Sequence, residues 1–351
     1  MPLAFTHSRP MLAAAALLLA TAAGAQAPLP PPASTTGARY VEPSTTTLPQ
    51  PDERVGSLLT RSLGDAAIVQ KLGPRTWWAH KTFYNALFYV GDQGVLVFDA
   101  PQYRTEAILK GIRTVTDKPI TAIVYSHFHA DHIADVQLLL DDARRSGVKP
   151  RLIATTQTAS KMKRLGSTLP LPTETVRWPD GSFRFENLQV QVHGFTHAFH
   201  TDDHSAWLLK GQGVLHAPDL LNGDQLPFLG FAISETAVNL PANLRQVGAM
   251  KWDWLSGGHG NVATRADLDL YLRYFADLRA ALKKASEEID YFGFVDPAKA
   301  NNHAEFTAGW QAAVVDAAVE ALRPQYGSFY GYTANTRANA RFVLQVLDSY
   351  L

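Results

Sequence analysis

The sequence contains no cysteine in 351 residues. That excludes disulfide staples, thiolate ligands and a cysteine nucleophile, so any metal site must be built from His, Asp and Glu. There is no excess of charge either, since 32 basic residues balance 32 acidic ones. With no basic field and no long basic run, neither nucleic acid nor an anionic membrane is an expected partner. Histidine is sparse, at twelve residues. What the chain does have is apolar matter: 46% hydrophobic against 18% charged residues is ordinary globular composition, ample for a large core.

Residues 1–25 read as a signal peptide rather than as fold. His7 and Arg9 precede the apolar run 11–20, and Ala23-Gly24-Ala25 has the small-x-small form of a cleavage site. The run is short for a membrane span and no second anchor follows. The expected route is secretion across an inner membrane into a periplasm, with no stable membrane anchor after cleavage; an uncleaved anchor is the alternative. Residues 26–55, rich in Pro, Thr, Ser and Ala, read as a flexible linker.

Beyond the linker, apolar runs at 83–90 and 95–99 flank the turn Gly91-Asp-Gln-Gly94 and predict a β-hairpin. A helix is expected over 105–115, a buried β-branched strand over 120–125, and a helix over 131–140. A strand over 151–155 and a helix over 157–164 follow. Leu188, Val190 and Val192 alternate with Gln189, Gln191 and His193, which predicts strand across 183–195 with one face buried. Residues 205–209 and 214–216 continue the sheet. The period then changes. Leu268, Leu272, Phe275, Leu278 and Leu282 recur at helical spacing, as do Phe306, Trp310, Val314 and Ala317, and 338–347 is also helical in pattern. The expected organisation is an α/β domain over 56–264 and a helical extension over 265–351.

One short stretch stands apart. Residues 125–135 read YSHFHADHIAD, with three of the twelve histidines and an aspartate inside six residues, directly after an apolar strand. An extended segment sends alternate side chains to one side, so His127, His129 and Asp131 can converge while His132 turns toward a neighbouring position. Neutral imidazole and carboxylate suit Zn²⁺, and also Fe or Mn. One strand end can therefore serve two adjacent cations. A merely polar loop does not account for ligand-type residues at i, i+2, i+4 and i+5 together.

This segment resembles the His-x-His-x-Asp-His signature of the metallo-β-lactamase superfamily, and further segments follow in that family's order. HTDD at 200–203 resembles the segment supplying the third histidine of the first metal. VLHAPDLL, with Asp219, resembles the segment supplying a bridging carboxylate, and GGHG, with His259 between glycines, resembles the last histidine. The resemblance runs from about residue 76 to residue 259, some half of the chain. It implies a metallo-β-lactamase-like αββα sandwich, with ligands at strand ends along one rim and residues 265–351 as a C-terminal helical extension. It also implies that His127, His129 and His200 hold one metal, that Asp131, His132 and His259 hold a second, and that Asp219 bridges them. Where many members have Gly-Asp or Gly-Asn after the third histidine, this chain has Asp203-His204, and His197 is the rival to His200. His193 is expected to be solvated, and His80, His216 and His303 to be surface or hydrogen-bonded residues.

The implied cofactor is a pair of Zn²⁺ ions, with Fe or Mn as alternatives. The implied chemistry is attack by a hydroxide held between them on an activated carbonyl, with Asp131 both ligand and catalytic proton carrier. The substrate would be a small-molecule ester, lactone or thioester. A carboxylate at Asp219 resembles the glyoxalase II and lactonase branches, whereas the β-lactamases of this superfamily lack it. A zinc-dependent hydrolase of that branch therefore leads, and a metallo-β-lactamase acting on β-lactam antibiotics is the alternative. Two further alternatives are a mononuclear iron enzyme like the persulfide dioxygenases and a non-catalytic zinc-binding periplasmic protein. Trp77, Trp78, Phe83, Tyr84, Leu226, Phe228, Leu229 and Phe231 either line an apolar pocket or pack in the core. No feature of the sequence selects an oligomeric state.

Overall fold

The computed structural model describes residues 32–347; the expected signal peptide and residues 26–31 of the expected linker lie outside the described residues. Strands β1 (Arg39–Val41) and β2 (Glu53–Val55) pair in parallel. From residue 32 onward the expected linker is thus not a free tether. Asp224 accepts hydrogen bonds from the Thr35 backbone N–H (2.9 Å) and the Tyr40 hydroxyl (2.8 Å), and buried Arg54 lies 3.0 Å from Asp267. A Pro/Thr-rich composition predicts that a segment cannot build its own core; it does not stop polar residues from finding fixed partners on a neighbouring body.

After the short helix α1 (Leu58–Arg61) the chain lays down β3 (Ile68–Gly73), β4 (Thr76–Lys81), β5 (Tyr84–Val90) and β6 (Val95–Phe98) as antiparallel neighbours. Helix α2 (Thr105–Arg113) leads to β7 (Ile120–Val124), which joins β6 in parallel. Helices α3 (Ala130–Ile133) and α4 (Val136–Arg145) lead to β8 (Arg151–Thr155), and α5 (Thr156–Arg164) leads to β9 (Glu174–Val176), completing a seven-stranded sheet in the order β3 to β9. The second sheet runs β10 (Asp180–Phe185), β11 (Leu188–Gly194), β12 (Ser205–Leu209), β13 (Val214–His216) and β14 (Trp254–Ser256). Between β13 and β14 lie the turn α6 (Leu229–Ile233) and helix α7 (Leu240–Gly248). Helices α8 (Arg265–Glu288), α9 (His303–Tyr326) and α10 (Tyr332–Leu347) form the helical region expected after 265.

The strand patterns dictate the layers. Trp78, Leu87 and Phe98 from the first sheet meet Phe183, Val190 and Trp207 from the second in one core between the sheets. The opposite faces of the same strands carry Ala86, Phe88 and Val97, covered by Ile108 and Ile112 of α2 and Leu139 of α4. Because both faces are buried, these strands read as continuous apolar runs rather than alternating ones. Outside the second sheet, Leu208 and Leu215 pack with Leu244 of α7, Leu278 of α8, Val314 of α9 and Val343 of α10. Helix, sheet, sheet, helix: the four layers are the expected αββα sandwich, and the C-terminal helices share the core of its outer layer.

Two element predictions differ from the structure. The helix expected over 131–140 is broken into α3 and α4, because the Ala100 carbonyl takes the Asp135 N–H at 3.1 Å while the Ala100 N–H binds the His132 carbonyl at 2.7 Å. The strand expected over 183–195 is a hairpin, β10 and β11, turning at Glu186, where φ is 50°. The sequence carries that turn as a slip of phase, from Phe183 and Phe185 to Leu188 and Val190.

Candidate metal centre

The ladder of β7 continues to Tyr125, whose N–H donates to the Ile153 carbonyl at 2.9 Å. It ends at Ser126, whose N–H is taken by Asp99 Oδ1 at 2.8 Å. His127 therefore emerges at the sheet rim with Nδ1 3.0 Å from Ser126 Oγ. His129 remains extended (φ −61°, ψ 133°) as the N-cap of α3, and the chain then coils. The expected open backbone stops there, which swings Asp131 and His132 to a position beside His127 and His129 rather than in line with them.

The other groups arrive from distant strand ends. His200 puts Nε2 2.9 Å from His129 Nδ1 and is held from behind by Ser234 Oγ at 3.2 Å. Its rival His197 is exposed and joins neither group. His204 is buried, and its Nε2–H donates to the Pro218 carbonyl at 2.7 Å, fixing the backbone beside Asp219. Asp219 itself has φ 67°, a left-handed conformation that Asp tolerates better than most side chains. Past β14, the loop 257–260 is stitched to the start of β5: the Asn85 N–H donates to Gly258 O and the Gly260 N–H to Phe83 O, both at 2.9 Å. A Cβ on Gly258 would fall on Asp219 Oδ1 and the His132 ring, and Gly260 needs φ 66°. The glycines flanking His259 do permit close backbone approach.

The seven singled-out residues come together in two groups. His127, His129, His200 and Asp219 form one, and Asp131, His132, Asp219 and His259 form the other; within each, one ligand atom per residue lies within 4.8 Å of all the rest. Asp219 belongs to both. Its Oδ2 is 3.0 Å from His132 Nε2 and 3.3 Å from His200 Nε2, and its Oδ1 is 3.2 Å from His259 Nε2. Asp131 Oδ2 lies 3.4 Å from His132 Nε2 and 3.7 Å from His259 Nε2, with 39% of its side chain exposed.

This donor set fits cations. Nε2 of His127 is buried and makes no hydrogen bond among the described residues, as a ligand nitrogen requires. Burial, then the neighbouring His129 and His132 imidazoles, hold His127 well below its ordinary pKa, and burial with His200 takes His129 to about 3. Both are neutral, the state that binds metal. Burial pushes Asp219 up, but His132 and His259 outweigh it and hold the carboxyl well below its ordinary range. Burial likewise opposes charge on His132, yet Asp219, with Asp131 and Asp99 behind it, lifts that imidazole to about 10. The carboxylates of this half thus draw positive charge into the cluster.

A supporting layer was not legible in the sequence. Asp99, also at φ 67°, has Oδ2 3.2 Å from His216 Nε2 and 4.0 Å from His132 Nδ1, and His216 Nδ1 is 3.0 Å from Ser256 Oγ. His216 is thus one of the hydrogen-bonded histidines expected, and it is fully buried. The one available signal for Asp99 was a carboxylate closing an apolar strand, just as Asp219 does. Lys161, 5% exposed on α5, faces Asp203 at 3.6 Å and Glu235 at 3.5 Å, and also contacts Thr201 and Asp202, clasping the loop that carries His200.

The aromatic expectation divides. Trp77, Trp78, Leu226 and Phe231 are buried in the cores. Phe83 instead stacks on His259 (4.7 Å, 18°) and touches Phe228 at 4.9 Å, while Tyr84 meets His259 edge-on at 4.7 Å. Leu229 is exposed.

An αββα sandwich with two linked His/Asp groups on one rim defines a class of metal-site proteins. The chain belongs to the metallo-beta-lactamase superfamily, whose family model matches residues 81–288. Members are mostly hydrolytic metalloenzymes and typically bind two metal ions. Among solved structures, a metallo-beta-lactamase from Pontibacter korlensis superposes with a TM-score of 0.51 at 20% identity, covering 60% of this chain and 99% of that one. Metallo-beta-lactamase IND-7 does so with 0.50 at 17%, covering 60% and 98%. At these identities the likeness is one of fold. Among curated proteins, a linear primary-alkylsulfatase of Pseudomonas sp. (strain ATCC 19151) is 33% identical over 64 residues, which span 18% of this chain and 12% of the relative.

Proposed function

We propose that the protein is a binuclear zinc hydrolase of the glyoxalase II/lactonase-like branch, acting on an activated carbonyl, ester, lactone or thioester, of a small molecule. The supporting observation is the position of Asp219, which reaches His132 and His200 with one oxygen and His259 with the other. His127, His129 and His200 would hold one ion and Asp131, His132 and His259 the other, with Asp219 between. When bound, such ions supply Lewis acidity and a nucleophile derived from water near neutral pH. The chain's own residues do the rest. Asp131, partly open to solvent, takes the proton of the attacking water and returns it to the leaving group. Burial, then Asp131, raises the Tyr84 hydroxyl above its ordinary pKa, so it stays an O–H donor at the rim. Phe83 and Phe228 close the side above His259 to water.

A sulfate-ester substrate is the second reading, favoured by the short match to the alkylsulfatase. The test is a hydrolysis screen of the zinc-loaded protein across lactones, thioesters, aryl esters, alkyl sulfates and cephalosporins, with His129→Ala as control. Turnover of carbonyl substrates that is lost in the control is the expected result. Cleavage of cephalosporins alone makes it a β-lactamase, and bound metal with no turnover makes it a binding protein. One iron per chain with oxygen uptake makes it a dioxygenase. The same proposal includes export, which N-terminal sequencing of the mature protein checks: a first residue near Gln26 is expected.

A further inference from the structure

We propose that Arg104 forms an anion-reading subsite beside the metal centre, so that the preferred substrate carries an acidic oxo group, such as a carboxylate or sulfonate, a few bonds from the scissile ester. The inference rests on the hydrolase reading for the bond that breaks, but not for the recognition of the anion.

Arg104 stands in the turn between β6 and α2, half-buried, with its guanidinium 4.4 Å over the ring of Tyr84. Tyr84 in turn meets His259 edge-on, which places the guanidinium two ring contacts from the candidate metal ligands. The turn is tied to the ligand loop itself, because the Gln102 N–H donates to the Asp131 carbonyl at 3.1 Å. Two hydrogen bonds set the plane of the guanidinium: Nε donates to Thr82 Oγ1 at 3.0 Å and Nη1 to the Gln102 carbonyl at 2.8 Å.

The other half of the fork is what needs explaining. Arg54, Arg113 and Arg151 each face a carboxylate. Among the described residues no carboxylate forms an ion pair with Arg104, and its Nη2 makes no hydrogen bond there. A half-buried cation without a counter-charge is a cost that an aromatic face only partly offsets. It is well placed where a ligand brings the charge, and a guanidinium edge matches two oxygens of a carboxylate or sulfonate. The His259 ring also meets an apolar surface, with Phe83 stacked on it and Phe228 4.9 Å from Phe83. A cation and an apolar surface beside one ring give a substrate a direction: its acidic end toward Arg104 and its apolar end toward Phe228. The competing account is that Arg104 only clamps the turn at Thr82 and so positions Phe83.

The experiment compares wild type with Arg104→Met, Arg104→Lys and Thr82→Val, the last removing the clamping bond alone. The kcat/KM ratio between mono-4-nitrophenyl glutarate and its neutral methyl ester is measured for each, and monomethyl glutarate binding is measured by calorimetry. Arg104→Met should lower the ratio and the binding constant by about 10- to 100-fold, the scale of a hydrogen bond to a charged group. Arg104→Lys should restore part of this, and Thr82→Val should leave the ratio as in wild type. Equal losses on both esters, or a Thr82→Val variant that reproduces the loss, overturn the proposal in favour of the clamp. An unchanged anion affinity in Arg104→Met overturns it too, since an acid bound only by metal ignores Arg104. Should neither these esters nor any substrate of the hydrolysis screen be turned over, the hydrolase reading fails while the calorimetry still decides the subsite.

Discussion

Asp219 and His132 are 87 residues apart in the chain and 3.0 Å apart in the structure. The contact joins the end of one sheet to the loop beyond the other, and it links the two ligand groups into one centre. Removing that carboxylate should therefore disturb both groups. On the proposed binuclear reading, Asp219→Ala is expected to lower the metal held by zinc-loaded protein from about two per chain to at most one, and kcat by roughly 100-fold or more. Metal analysis and steady-state kinetics on the same preparation check this; full metal content in the variant would remove Asp219 from the ligand set.

Asp99 acts one layer out. It receives the Ser126 N–H and stands behind His132 with His216. Groups in that layer orient ligands and typically contribute 10- to 100-fold in metal affinity. Asp99→Ala should weaken zinc binding by about that factor in a chelator competition, with secondary structure unchanged by circular dichroism.

Lys161 neutralises a buried corner. Asp203 is fully buried, and burial raises its pKa against the pull of Lys161. Lys161→Met leaves that carboxylate unpaired and should cost about 3–5 kcal/mol in urea unfolding. Adding Asp203→Asn should recover part of the loss, because the uncompensated charge is then gone.

His80 sets a pH limit. Asn85 Nδ2 donates to the Gly257 and Gly260 carbonyls, so its Oδ1 must accept from His80 Nδ1–H at 2.8 Å. That leaves His80 Nε2 to accept from the Phe83 N–H, a network that needs neutral imidazole. Burial lowers His80 from 6.5 to about 4. The unfolded chain therefore binds the extra proton first, and stability is lost as pH falls from 6.5 through 4, by about 3 kcal/mol in full. Unfolding free energies of metal-free protein at pH 7 and pH 5 should differ less in His80→Gln than in wild type.

Legibility followed locality. The four ligand-type residues His127, His129, Asp131 and His132, packed into six positions, and His259 between its glycines could be read directly. His200 and His197 sit in the same loop with similar surroundings, and only burial beside Phe199 and the Ser234 contact separates them. Asp99 and Lys161 gave almost no signal, because their partners lie far along the chain. The same holds for residues 39–55, where Tyr40 and Arg54 are held by Asp224 and Asp267, partners that composition cannot reveal.

The sequence by itself determined the ligand chemistry and the strand ends that carry it, since residue type and periodicity are local properties and the absence of cysteine leaves only nitrogen and oxygen donors. The tertiary structure decided what the resemblance only implied, that Asp219 falls in both candidate groups and that His200 rather than His197 lies beside His129, and it alone decided that Arg104 meets no carboxylate among the described residues. Convergence depends on two sheets closing over Trp78, Phe98 and Trp207, and a contact made by packing has no spacing along the chain from which it could be read.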